Sequence, residues 1–539
     1  MMRSDQTGYM TVNDIYRAAD RGGKLCDPAG SDALRHWLER NALRLGSKIF
    51  IQSIDQGKAI TFGQLLQTAQ KLSGYLGQAG IGANDRVVLL SNNSIEHLVT
   101  YLGVMAHGAT ICTINVEMNA AYFEDILTGL QPRLVLFEDG AVAPDLAERT
   151  PGTWAALGEW RADGGTGLFG AIADQPGGHW HAQPTGHCDD ACIYYTSGTS
   201  ARPKGVVLSF GELIDNVEPL ADAFGIGEDD RLLDFRSYNW ASAQILSGLA
   251  PLARGASVAM ARKFSRSRFF GWIRDHGATI AAGNPTTLNM LMSEAGSITG
   301  ADLPTLRFIT SSSAPLTVQE AKRFEAGFEI PVGQGYGTSE AGWIAGSDET
   351  SRRLGSVGKP LAYHQLRIVD ADGRVMPAGE PGLVELGSDS ERAYRYVGAD
   401  GAVKVHATGR FRTGDLGYLD DEGHLFITGR ETDLIIRGGV NISPMEIDGV
   451  LLQRPEIAEA ATIGIPDEIY GEEVVSYVVV RSDADIAEAA LLEHCAADLP
   501  AFKAPKRIFF TESLPKTARG KTDRKALIEA WKRENAAKT

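Results

Sequence analysis

The stretch Tyr194-Tyr195-Thr196-Ser197-Gly198-Thr199-Ser200-Ala201-Arg202-Pro203-Lys204-Gly205 decides how this 539-residue chain is read. Two apolar, β-prone runs flank it, Ala191-Cys192-Ile193 and Val206-Val207-Leu208. Between them lie hydroxyls, glycines, one Arg and one Lys. Glycine lets successive backbone N–H groups point at one spot. Hydroxyls donate further hydrogen bonds, and Lys204 supplies a compact positive charge. Such a loop can hold a polyphosphate. It can equally be the polar turn of a β-hairpin, and composition does not separate the two.

The surrounding pattern is one of alternation. Leu34, Trp37, Leu38, Ala42 and Leu45 take the three- and four-residue steps of an amphipathic helix over 32–45, and Leu65, Ala69, Leu72 and Leu76 repeat them. Residues 85–90 read as a buried strand, 94–107 as a helix and 110–114 as a strand. Beyond the loop, 231–235, 257–260, 279–282 and 306–310 read as strands. Residues 243–249 read as a helix that ends before Pro251, and 266–276 as another. Short apolar strands alternating with helices imply parallel βα units and an α/β fold. Residues 1–30 have no clear period and read as a loosely packed arm; 151–187 read as surface structure. From 355 to 429, turns such as Asp372-Gly373 and Asp421-Glu422-Gly423 come often, which predicts an antiparallel β subdomain. Residues 431–539 read as a separate α+β unit, with a charged terminal helix over 523–535.

Totals narrow the class. The chain is too long for one core. A formal net charge of −16 argues against a nucleic-acid partner, which needs a basic face. Five scattered cysteines make a poor disulfide framework, so a reducing compartment is expected. The N-terminus lacks the apolar stretch of a signal peptide, and no run approaches the roughly 18 apolar residues of a membrane span. The expectation is a soluble cytoplasmic protein. The oligomeric state is left open, with a homodimer among the options. His179, His181, His187, Cys188 and Cys192 cluster, but without the spacing of a zinc set.

Familiar nucleotide and hydrolase signatures are missing. A Walker loop ends Gly-Lys-Ser/Thr, whereas Lys204 precedes Gly205; Gly520-Lys521-Thr522 has that triplet but Pro515 where the upstream glycine belongs. Gly333-Gln334-Gly335-Tyr336-Gly337 is not a dinucleotide fingerprint, and there is no Gly-x-Ser-x-Gly elbow.

The opening stretch instead resembles the AMP-binding signature of the adenylate-forming enzymes, which include acyl-CoA synthetases, adenylation domains and luciferases. Four further motifs follow in that superfamily's order. They are Tyr336-Gly337-Thr338-Ser339-Glu340, Arg412-Thr413-Gly414-Asp415, Gly429-Arg430-Glu431-Thr432-Asp433 with Gly438-Gly439-Val440-Asn441-Ile442, and Leu514-Pro515-Lys516-Thr517-Ala518-Arg519-Gly520-Lys521. The resemblance covers residues 32–530. It implies a large N-terminal α/β domain (1–430) with two parallel-type sheets and the β subdomain (355–429), plus a small mobile α+β C-terminal domain (431–539).

The resemblance also implies a reaction, in which ATP and a carboxylic acid give an acyl adenylate and pyrophosphate, and the coenzyme A thiol then displaces AMP. Both reactants of the first step are anionic, so the site must screen their repulsion with metal, lysine and oriented N–H groups. Thr196, Ser197, Gly198, Thr199, Ser200 and Lys204 would hold the β- and γ-phosphates, and Glu340 would hold Mg²⁺. Thr338 would donate to the α-phosphate. Ser313, Ala314, Pro315, Gly335, Tyr336 and Gly337 would line the adenine pocket. Asp415 would accept both ribose hydroxyls, with Arg430 beside it. Lys521 would bridge the acyl carboxylate and the α-phosphate. Thr432 stands at the hinge, where Asp or Lys is usual, and Gly438 and Gly439 would leave room for pantetheine. The acyl pocket falls to Tyr238, Asn239, Trp240, Gln244, Gly283, Asn284 and Trp343. Two tryptophans there favour a small acid over a long fatty acid, or would stack on an aromatic ring. A carrier-protein thiol or an amine as acceptor is the nearest alternative outcome, and a catalytically inert nucleotide-binding protein a more distant one.

Overall fold

A computed structural model describes residues 30–143, 145–196, 204–387, 393–398, 400–481, 484–517 and 521–536. Strand Arg86–Leu90 shows why the large unit forms sheets covered on both faces. Val87 and Leu89 enter one core, while Val88 and Leu90 enter another. A strand apolar at successive positions needs protein on each side, which helices of parallel βα units provide. Its sheet has eight strands. Asp190–Thr196, Thr110–Thr113, Arg86–Leu90, Leu134–Phe137 and Thr153–Ala156 are mutually parallel; Lys204–Ser209, Ala393–Val397 and Val403–Thr408 extend it antiparallel. A second sheet of nine strands is parallel through Val332–Thr338, Phe308–Ser311, Ile280–Ala281, Arg231–Asp234, Ser257–Met260 and Ile49–Ser53, with antiparallel strands at both edges.

Helices shared by the two sheets fill the main core. Ile95–His107 is buried at every residue. Ser94 caps its first turn by accepting from the His97 N–H, and Gly108, at φ 101°, closes its C-terminus in the left-handed region. Phe210–Ala223 buries Leu213, Asn216, Val217 and Leu220, and is started by a capping box between Ser209 and Glu212.

Three expectations are corrected. The helix expected over 243–249 does not stop before Pro251. It begins at Ala241, widens into a π-helical turn over Ile245–Leu249 and runs on to Arg254. Proline lacks the N–H that would bond the carbonyl four residues back, at Ser247; the Tyr238 hydroxyl donates to that carbonyl instead, at 3.1 Å. The helix expected from 266 starts at Phe269. Residues 151–187 are not merely surface: Trp160, Leu168, Phe169 and Ile172 enter the main core. The arm expected over 1–30 lies, except for Gly30, outside the described residues.

Between 355 and 429, Gln365–Val369, Gly382–Gly387, Arg410–Leu419 and Leu425–Arg430 form a four-stranded antiparallel sheet. Three strands in that range go elsewhere, of which the short Lys359–Pro360 pairs with Gly342–Gly346. Ala393–Val397 pairs with Lys204–Ser209, and Val403–Thr408 pairs with Ala393–Val397. The C-terminal unit is a five-stranded sheet in which the long hairpin Ile457–Asp467 with Gly471–Val480 dominates. Pro444–Leu451 and Glu488–Asp498 contribute to the core on one face, and Leu527 of Arg524–Ala536 to the core on the other. Among the described residues, no helix is long and apolar enough to cross a membrane.

Candidate active site

The second motif is a hairpin whose shape is dictated by tight packing. Val332–Thr338 turns through Ser339–Ala341 into Gly342–Gly346. A Cβ on Gly335 would sit 2.5 Å from the Trp343 ring, and one on Gly337 2.4 Å from the Gly342 carbonyl oxygen. No side chain fits at either place. The turn itself is held from below by Asn216. Its amide donates to the Trp343 carbonyl at 2.7 Å and its oxygen accepts the Trp343 N–H at 3.0 Å, as a neighbouring strand would. The Thr338 hydroxyl accepts the Ala341 N–H at 3.2 Å, which leaves Glu340 at the tip.

Glu340 accepts a hydrogen bond from the Tyr396 hydroxyl at 3.0 Å. The Lys204 Nζ lies 5.8 Å from the centre of the same ring. Lys204 and Glu340, predicted to serve phosphate and cation, are therefore brought together around a tyrosine that the motifs do not contain. Lys204 begins its strand, paired with Thr196. The Thr196 side chain and Ser197, Gly198, Thr199 and Ser200 lie outside the described residues.

The ribose motif is equally local. Asp415 and Arg430 are opposite each other on adjacent strands. Asp415 is 5% exposed. It accepts from Arg430 Nε at 2.7 Å and from the Tyr336 hydroxyl at 2.5 Å. Burial, and then the Asp415 charge, raise the Tyr336 pKa well above its ordinary value, so the phenol stays a donor. Burial opposes the Arg430 charge, but Asp415 outweighs it and raises that pKa. Ser313 leads into Ala314 and Pro315 in the left-handed region, at φ 73°. A side chain held there costs about 1–3 kcal/mol and persists only where its surroundings demand it, commonly at binding sites.

The acyl segment joins the site from the other side. The Trp343 indole N–H donates to the Ser242 carbonyl at 3.3 Å, and the ring packs edge-on to Phe224. Tyr238 and Trp343 are both buried. The Tyr238 backbone carbonyl meets His97 Nε2 at 3.2 Å. Trp240 immediately precedes the following helix, makes no side-chain cap to it and is partly exposed. Asn239 and Gln244 donate through their amide nitrogens to Ser91 O and Thr113 Oγ1, at 2.9 and 3.1 Å. Their carbonyl oxygens, Oδ1 and Oε1, are buried and have no partner. Gly283 approaches the Thr310 carbonyl, and Asn284 caps helix Pro285–Leu291 by accepting the Thr287 N–H.

In the C-terminal unit, Gly438 and Gly439 form the two-residue turn between Ile435–Arg437 and Val440–Ile442, at φ 58° and 82°. Positive φ at both positions is what a tight hairpin turn requires, so the pair has a reason in the backbone itself. Thr432 is exposed in a short 3₁₀ turn, Glu431–Asp433, and donates to Asp433 at 3.1 Å. Lys521 is exposed beside a bridge between Lys516 and Thr522; its N–H donates to Thr517 Oγ1 at 3.2 Å. Ala518, Arg519 and Gly520 lie outside the described residues. Among the described residues, no three His, Cys, Asp or Glu side chains are placed to hold a metal. Cys192 is buried in Asp190–Thr196, and burial pushes its thiol up to about 12.

Asn216 and Tyr396 carry the site without belonging to any motif. Asn216 has a sequence signal, a polar residue on the apolar stripe of Leu213, Val217 and Leu220. Tyr396 has none, because its partners come from strands far away in the chain.

The model of the AMP-binding enzyme family matches residues 38–390, and that of the AMP-binding enzyme C-terminal domain matches 446–521. The chain belongs to the AMP-binding enzyme family. Relatives that match over most of their length include CoA ligases. A sulfoacetate–CoA ligase of Cupriavidus necator is 34% identical over 93% of this chain and 98% of its own. An oxalate–CoA ligase of Arabidopsis thaliana is 31% identical over 84% and 89%. ATP-bound MatB from Rhodopseudomonas palustris superposes with a TM-score of 0.81 at 26% identity, covering 92% of this chain and 99% of that one. This AMP-binding enzyme is an ATP-dependent acid–CoA ligase, which acts through an acyl adenylate.

Proposed function

We propose that the enzyme activates a small carboxylic acid carrying a further polar group, in the cytoplasm. The unpartnered carbonyl oxygens of Asn239 and Gln244 carry this reading. A buried polar atom without a partner costs about 1–3 kcal/mol, and a hydroxyl or N–H of the acid would relieve it. A long alkyl chain would leave that cost in place. Similarity to the sulfoacetate and oxalate ligases supports the same class.

In the reaction, a carboxylate oxygen of the acid attacks the α-phosphorus of ATP. The bond to the pyrophosphate oxygen breaks and the acyl adenylate forms. Lys521 spans the carboxylate and the α-phosphate and offsets their repulsion. Thr338 donates to the α-phosphate, and Lys204 with the preceding loop retains the pyrophosphate. Asp415, oriented by Arg430 and Tyr336, accepts the ribose hydroxyls. Ser313, Ala314, Pro315 and Gly335–Gly337 form the adenine slot. Glu340 offers a partly exposed carboxylate, a hard oxygen ligand suited to Mg²⁺. The ion, when bound, neutralises phosphate charge. The C-terminal unit then turns about Thr432 and presents Gly438-Gly439 to the pantetheine arm, and the thiol attacks the acyl carbonyl and expels AMP.

The test is a panel of acids assayed for acid-dependent pyrophosphate exchange and CoA-dependent AMP release. The highest kcat/KM is expected for a two- to six-carbon acid with a hydroxyl, amino or second acidic group. A preference for unsubstituted medium or long alkyl acids overturns the substrate class, and release of ADP overturns adenylation.

A further inference from the structure

Strand Ala393–Val397 leaves the antiparallel subdomain to pair with the strand of Lys204, and that detour delivers one residue to the site. Tyr396 lies opposite Val206. Opposed residues of an antiparallel pair share a face, and diagonal neighbours two positions away are within reach of an aromatic ring. Lys204 is that diagonal neighbour, and its Nζ stands 5.8 Å from the ring centre. One part of the Tyr396 side chain packs against the main core, and the His406 ring meets it edge-on at 5.4 Å. Its hydroxyl reaches out to Glu340 Oε1 at 3.0 Å. Among the described residues, this is the hydrogen bond that orients the Glu340 carboxylate.

We infer that Tyr396 is a positioning residue: it fixes Glu340 for the divalent cation of the cation–nucleotide and seats Lys204 for phosphate. The inference rests on the reading of Glu340 as a cation ligand. Lys204 belongs to one large sheet and the Glu340 turn to the other, so Tyr396 ties the two halves of the phosphate site together. The phenol is suited to this. Its O–H donates to Glu340 Oε1 while its ring packs against Lys204. A partner that orients a metal-ligating group is typically worth about 10–100-fold in metal affinity. The ring beneath Lys204 adds a cation–π contact, worth about 2–5-fold at a partly exposed site.

Two binding measurements on the full-length protein separate these roles. Mn²⁺, followed by the loss of its free electron paramagnetic resonance signal, reports cation–ATP binding without turnover. ATP binding in excess EDTA reports the nucleotide alone. Y396F keeps the ring and loses the hydroxyl: Mn²⁺–ATP binding should weaken about 10-fold while cation-free ATP binding stays as in wild type. Y396L loses the ring too, and cation-free ATP binding should fall about 2–5-fold further. Y396F that binds Mn²⁺–ATP like wild type, while E340Q binds it poorly, overturns the role of Tyr396 alone. E340Q that binds Mn²⁺–ATP like wild type overturns the reading of Glu340 and this inference with it. Equal loss of both binding modes in Y396F shows general damage to the site and also overturns it.

Discussion

Replacing Asn216 by leucine tests whether one side chain does the work of a strand beneath the Glu340 turn. Leucine keeps the branch at Cγ and the number of heavy atoms but has bulkier ends, so the change removes the hydrogen bonds and adds some crowding. The Trp343 N–H loses its acceptor at 3.0 Å and, buried, is left unpaired, which costs about 1–3 kcal/mol. The Trp343 carbonyl loses one donor but keeps His364 Nε2 at 2.8 Å, so its loss is an ordinary bond of about 0.5–1.5 kcal/mol. Added apolar burial offsets part of this, and about 2–3 kcal/mol of destabilisation remains. At about 2.1 cal/mol/K per residue, a unit of roughly 400 residues has an unfolding entropy near 0.8 kcal/mol/K, so the melting midpoint should fall by about 3 °C. Calorimetry of the full chain measures the shift. Because the hairpin carries Thr338 and Glu340, the KM for Mg²⁺–ATP should rise with it. A midpoint within about 1 °C of wild type, together with an unchanged KM, would refute the reasoning.

Three other changes address separate parts of the enzyme. K521A should slow adenylation by at least about 100-fold yet leave capture of preformed acyl adenylate by CoA largely intact; equal loss of both half-reactions would count against the two-stage use of the C-terminal unit. D415N removes a charge that Arg430 and Tyr336 hold in place, and should raise the KM for ATP about 10–100-fold; a wild-type KM for ATP would remove Asp415 from the ribose site. His97 is buried beside the acyl segment, and burial pushes it down to about 4 from an ordinary 6.5. The unfolded chain therefore binds a proton there first as pH falls, and native stability is lost between 6.5 and 4. From pH 7.5 to 5 the loss should be about 2 kcal/mol, and H97Q should lose less over the same range; parallel stability–pH curves for the two proteins would show that His97 is not the group responsible.

What could be read from the sequence was what is contiguous in it. Glycines at 335, 337, 438 and 439 and the strand–helix alternation announce themselves within a few residues, because backbone geometry and period are local properties. The pairing of strands is not local. Frequent turns between 355 and 429 predicted antiparallel strands correctly, but nothing in them says that the hairpin of Ala393–Val397 and Val403–Thr408 would join Lys204–Ser209 rather than the four-stranded sheet. Tyr396 was hidden for that reason. Pro251 was misread for a related one: a proline stops a helix unless something else satisfies the carbonyl it abandons, and Tyr238 does so from a different turn of chain. The acyl pocket was legible only as a region, since a cavity is set by which side chains face one another across the fold. Asn239 and Gln244 acquire meaning from the partners their oxygens lack, which no local pattern records.

The detour of Ala393–Val397 makes strand register a functional variable. Side chains alternate along a strand, so sliding this one by a single residue would turn Tyr396 away and bring Arg395 or Val397 to the face beneath Lys204. The same slip would turn Tyr394 out of the core in which it stacks on Phe411, so register and stability are tied together in this strand. The same chain continues through Val403–Thr408 into the strand that carries Asp415, so the length between Tyr396 and Asp415 sets the span between the Glu340 turn and the Asp415–Arg430 pair. One residue gained or lost at the turn around Gly401 would alter that span while leaving every motif of the chain unchanged.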